Sequence, residues 1–103
     1  MVETSPLTVA VDRFADRLRA APESRLRRGA AAEALALARM FARWAQRIED
    51  PGGQPREMPE VGVFAVADQI TVAGRDLAVV LTDPADVTRA AALVEEARKR
   101  AGL

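Results

Sequence analysis

Residues 63–81 read VFAVADQITVAGRDLAVVL, and whether they form a helix or a hairpin decides the fold class. The β reading rests on Val61, Val63, Val66, Ile70, Thr71, Val72, Val79, Val80 and Thr82, branched residues that suit a pleated surface. Gly74-Arg75-Asp76 then becomes a hairpin loop, and the domain is α+β with a small hairpin at about 69–81. The helical reading rests on Val63, Val66, Ile70, Ala73, Leu77 and Val80, which recur at alternating steps of three and four. At 100° per residue they share an arc of roughly 100°. Period two fails on the polar residues: Asp68 and Gln69 are adjacent, as are Arg75 and Asp76, so a strand would carry them on both faces. The spacing predicts a helix, with Pro59 and Glu60 as its start.

That helix has a mixed outer side. Ala65, Val72 and Val79 recur every seven residues between the polar pairs. The face formed by Asp68, Gln69, Val72, Arg75, Asp76 and Val79 therefore resembles one edge of a helix–helix contact, and it is the candidate interaction face.

Three further helices follow from local signals. Over residues 6–20, Leu7, Val11, Phe14 and Leu18 form one apolar stripe, with Ser5 as the expected N-cap and Pro6 at the first helical position. A long second helix is predicted over 23–49, with a stripe of Leu26, Ala30, Leu37, Met40, Phe41, Trp44 and Ile48 and a span of about 40 Å. Gly29 inside it reads as a smooth patch for close helix packing. The last helix, 84–100, is bounded by Asp83-Pro84 and by Gly102, and it offers Glu95–Lys99 and Glu96–Arg100 as pairs four apart. Between the second and third helices, EDPGGQPREMPE (49–60) is a Pro/Gly-rich loop, long enough to be a crossover or a functional loop. The expected architecture is all-α: residues 1–103 as one four-helix, bundle-like domain.

Composition limits the chemistry. The 103 residues contain no histidine, cysteine or tyrosine, so thiolate nucleophiles, Cys-ligated zinc and the usual neutral-pH base are excluded. Ser5 and Ser24 have no histidine to activate them. Glu57/Glu60 and Asp68/Asp76 are carboxylate pairs, but they carry no metal-binding or phosphate-cradling spacing. No catalytic residue, cofactor or metal is expected, and the chain reads as non-enzymatic. The first residues, MVETSPLTV, lack the pattern of a signal peptide, and no apolar run reaches the ~18 residues of a membrane span. The expected location is the cytoplasm, and fourteen Arg against one Lys point to a GC-rich bacterial genome.

Charge is sorted along the chain. Residues 13–47 carry nine Arg and three acids, whereas 48–96 carry three Arg and ten acids, blocks expected to face each other within the fold or across a dimer. Arg25, Arg28, Arg39, Arg43 and Arg47 form a candidate basic stripe on the second helix, the kind of row that can track phosphates. Net charge is zero and aromatics do not interleave with the stripe, so nucleic acid is the less favoured partner. Glu33 lies among Leu26, Ala30, Leu37 and Met40 and is the candidate buried acid. Burial requires a partner for it, with Arg17 or Arg75 expected, or else makes it the acidic end of a ligand pocket in a small ligand-binding bundle. The primary expectation is an interaction or regulatory module acting through protein–protein contacts, as a homodimer or with another protein.

Overall fold

The computed structural model describes residues 2–103. Its helices are α1 (Ser5–Ala20), a single turn α2 (Glu23–Arg25), a π-turn (Leu26–Ala30), α3 (Ala31–Glu49), α4 (Val66–Val80) and α5 (Pro84–Arg100). The opening stretch is helical, and no strand occurs among the described residues.

Around the bundle the neighbours run α1, α4, α3, α5 and back to α1. Directions follow from paired residues. Arg19 meets Asp68 and Asp12 meets Arg75, so α1 and α4 are antiparallel. Glu33 meets Arg100 and Trp44 meets Arg89, so α3 and α5 are antiparallel. Helices α3 and α4 follow each other in sequence yet lie side by side in parallel, because one hollow joins Leu35 to Val66 and another joins Ala45 to Asp76. The chain must therefore return the full length of α3, roughly 28 Å, before α4 can begin. Residues 50–65 make that return, and the 49–60 loop is a long crossover.

Side chains of α3 and α4 clip this crossover in place. Gln46 Nε2 donates to the Arg56 carbonyl (3.1 Å), and the Arg56 amide donates back to Gln46 Oε1 (2.8 Å). Arg39 Nε donates to the Met58 carbonyl and Gln69 Nε2 to the Pro59 carbonyl, each at 2.8 Å. An irregular segment has backbone groups that need partners, and the neighbouring helices supply them.

Small residues build the core. Ala34, Ala38, Ala90 and Ala97 are fully buried beside Leu7, Val11, Phe14, Phe41, Ile70, Leu77 and Val94. Alanine lets helix backbones approach, and the closest approach is at Gly74, whose missing Cβ makes room for Val11. The stripes expected for α1 and α4 are buried at Leu7, Val11, Phe14 and Leu18, and at Val66, Ile70, Ala73 and Leu77. Asp83 caps α5, its side chain accepting from the Ala85 amide at 2.9 Å. Gly102, at φ +73°, ends that helix, with its own amide on the Lys99 carbonyl and the Leu103 amide on the Arg98 carbonyl. This is the Schellman pattern.

Several local expectations are corrected. The long second helix does not form: Gly29 has φ +154° and ψ −19°, which breaks the run and leaves the nineteen residues of α3 as its main helix. Gly29 is no packing patch, because a Cβ there would meet nothing within 4 Å. Helix α4 begins at Val66 rather than near Pro59, since Gly62 turns the chain at φ +105°. At the N-terminus the capping residue is Thr4 without a side-chain cap bond. The Ser5 hydroxyl and amide instead donate to Glu3 and hold its carboxyl below the ordinary range. On α5, Glu95 pairs with Arg98 rather than Lys99, and Arg100 reaches Glu33 rather than Glu96.

Candidate functional site

The outer side of α4 carries the largest exposure of valine in the molecule. Val72 is 55% exposed and Val79 84%, because α1 and α3 cover the opposite side of the helix. On the flank nearest α1, Asp68 accepts from Arg19 at 2.9 Å, and Arg75 reaches Asp12 at 3.2 Å. Arg19 also lies 3.6 Å from Asp16. Asp68, Arg75 and Asp12 remain at least half exposed, so these pairs are wet and contribute about 1 kcal/mol at most. On the other flank, Asp76 is exposed beside Ala42, Gln46 and Met58.

Gln69 departs from the expected face. It is half-buried, turned toward the crossover at Pro59, and its Oε1 is buried without a partner. Ala65, expected to continue the valine seam, lies just before α4 and is also half-buried. The exposed apolar residues are instead Val79 and Val72 on the helix and, two residues before it and beside Leu18 and Arg19 of α1, Phe64, which is 69% exposed. Phe64 escapes a sequence reading that follows only the inner arc of the helix and the seven-residue seam at 65, 72 and 79. The signal available was its position one residue outside the apolar arc that begins at Val63.

The basic stripe is not continuous. The break at Gly29 separates Arg25 and Arg28 from the arginines of α3, and Arg25 donates to the Gly102 carbonyl at 2.7 Å. Arg39 and Arg43 lie 3.6 and 4.0 Å from Glu57 on the crossover. Arg47 is exposed near the end of α3. The opposite charge blocks thus meet within the fold, as at Arg39–Glu57 and Arg19–Asp68, and two of the five arginines serve to hold the crossover.

Glu33 is not a buried acid. Its side chain is 33% exposed, and Arg100 donates to it at 2.7 Å. The buried side of α3 is Ala31, Ala34, Leu35, Leu37, Ala38, Phe41 and Ala45, which leaves Glu33 at its edge, beside the last turn of α5. The expected partners are engaged elsewhere: Arg17 donates to the Leu103 carbonyl and Arg75 to Asp12.

A cleft of about 450 Å³ lies between α3 and the crossover, lined by Leu26, Ala31, Leu35, Val63 and Val66. Arg39 and Glu60 stand at its rim, and Glu33 is not part of its lining. Among the described residues no three acidic side chains gather into a cluster that could hold a metal ion, and no helix is long and apolar enough to cross a membrane. No protein-family model matches the chain, no curated protein matches it, and no solved structure matches it.

Proposed function

We propose that the protein is a non-enzymatic interaction module of the bacterial cytoplasm that works by presenting the outer face of α4 to another polypeptide. The observation that carries this reading is the exposure of Val79 and Val72 in a row on a well-packed helix, flanked by charges that water still reaches. An apolar line rimmed by polar groups is the anatomy of a protein contact. The absence of histidine, cysteine and tyrosine from the sequence favours binding over catalysis. The nucleic-acid reading is weaker, because Arg39 and Arg43 are committed to the crossover and the rest of the stripe is broken.

The test is a photo-crosslinking residue placed at position 79 in cells of the source organism, with position 9 as the control. Val9 is also an exposed valine, but it lies on α1 beside α5. The expected result is a covalent adduct to a polypeptide from position 79 and none from position 9. No adduct at 79, or equal adducts at both, would sink the reading.

A further inference from the structure

Resting on that reading, we infer that the polypeptide received by the α4 face is a second copy of this chain, docked antiparallel across a two-fold axis that passes between Thr71 and Val72.

The argument is one of register. Among the described residues Val79 and Phe64 are the two most exposed large apolar side chains; Val79 lies in the last turn of α4 and Phe64 two residues before its first. Their midpoint in sequence lies between Thr71 and Val72. Asp68 and Arg75 have the same midpoint. A two-fold axis at that point, perpendicular to α4, therefore sets Asp68 against the partner's Arg75 and brings the partner's Val79 toward the end of the helix that Phe64 precedes. Val72 lies almost on the axis and meets the partner's Val72.

The flanks agree as well. Residues seven apart on a helix differ by roughly 20° in direction, so Asp68 and Arg75 lie on one side of the Val72–Val79 line. This perpendicular two-fold brings like flanks together, as reciprocal pairing requires. Helix α1 runs along that same flank and is antiparallel to α4, with Arg19 beside Asp68 and Asp12 beside Arg75. The same rotation faces Arg19 toward the partner's Asp12, so the outer row is also of opposite sign. Asp16 falls near its own counterpart, and within each protomer Arg19 lies 3.6 Å from Asp16. On the far flank Asp76 approaches the partner's Gln69, which is uncharged. A parallel pairing needs a two-fold along the helices, which brings unlike flanks together, so that Asp68 no longer meets the partner's Arg75 and the two α1 helices lie on opposite sides of the contact. The antiparallel arrangement therefore sets the two α1 flanks together with opposite charges in register, and a surface complementary to itself at one axis is the signature of an isologous dimer.

Reciprocal charge reversal tests this in the full chain. In Asp68→Arg the new arginine faces the partner's Arg75, and in Arg75→Asp the new carboxylate faces the partner's Asp68. Each variant alone should associate at least about tenfold more weakly than the parent chain. An equimolar mixture should recover association as a heterodimer, because both contacts are then of opposite sign. Sedimentation velocity reads all four samples. An unmutated chain that stays monomeric at every concentration overturns the inference, as do single variants that dimerise normally or a mixture that gains nothing.

Should either charge variant fail to fold, Val72→Cys serves instead. It introduces the only thiol in the chain, and near a two-fold axis that thiol should oxidise to a covalent dimer, whereas Val9→Cys should not. Equal oxidation of both overturns the inference. A monomeric chain that still forms an adduct from position 79 to a different protein defeats the dimer and leaves the contact-face reading standing. Absence of any adduct defeats both.

Discussion

A Cβ placed on Gly74 would fall 2.7 Å from Val11 Cγ2 and 2.9 Å from Val11 Cγ1. Helices α1 and α4 therefore cross with the side chain of one resting on the backbone of the other. Val11 is fully buried, and its branched Cβ leaves few rotamers to retreat into. This contact also sets the register that brings Asp12 to Arg75 and Arg19 to Asp68 one residue and two turns away.

Gly74→Ala should destabilise the protein despite improving helix propensity. Propensity favours alanine by about 1 kcal/mol, while overpacking a filled core costs about 1–3 kcal/mol. A net loss of about 1 kcal/mol in urea unfolding is expected. Adding Val11→Ala should cost less in the Gly74→Ala background than alone, a coupling expected of residues in contact. A more stable Gly74→Ala, or strict additivity, would contradict the tight crossing.

Gly29→Ala should destabilise for the opposite reason. Space is free around this position, but φ +154° is a conformation that alanine rarely adopts. The expected cost is about 1–3 kcal/mol of backbone strain, together with a change in the link between α2 and α3. Gly52 is equally open and does not have a positive φ, so Gly52→Ala should be near neutral by thermal unfolding. If the two substitutions behave alike, strain is not what Gly29 relieves.

These two glycines show where the sequence could be read and where it could not. Steps of three and four marked α4 as a helix, and Asp83-Pro84 and Gly102 marked the ends of α5, because those signals are local. The packing role expected of Gly29 belongs to Gly74, for which the helical reading assigns none, because a glycine in a helical pattern looks the same whether it admits a neighbour or bends the backbone. Helix α4 starts later than the sequence predicts for a similar reason: Val63 continues the apolar period, while the turn at Gly62 has no mark in that period. Glu33 and Arg100 lie sixty-seven residues apart, and their pairing depends on how α3 and α5 pack, which no local pattern records. The outer face of α4 was legible in outline, but Gln69 left it for the crossover and Phe64 joined it.

Gln46→Ala should loosen the crossover while leaving the bundle intact. The Gln46 amide exchanges two hydrogen bonds with the backbone of Arg56, each contributing about 0.5–1.5 kcal/mol. Position 46 is itself half-buried on α3, where alanine is a good helix former. Limited trypsin digestion should cut after Arg56 several-fold faster than in the parent chain, since cleavage of exposed segments follows local opening. An unchanged cleavage rate would mean that Arg39 and Gln69 hold the segment without it.

Glu33→Gln separates an edge ion pair from a buried one. Glu33 is one-third exposed and Arg100 more than half exposed, so solvent screens the pair and its coupling should be at most about 1 kcal/mol. A double-mutant cycle with Arg100→Gln measures that coupling directly. Breaking a desolvated pair typically costs about 3–5 kcal/mol, because an uncompensated charge stays behind in the core. Here either partner can turn to water once the other is removed, so each single substitution should lower stability only slightly, and the double by little more. A loss near the buried range for Glu33→Gln would show that α5 closes over this carboxylate more tightly than the 2.7 Å contact at its exposed edge implies.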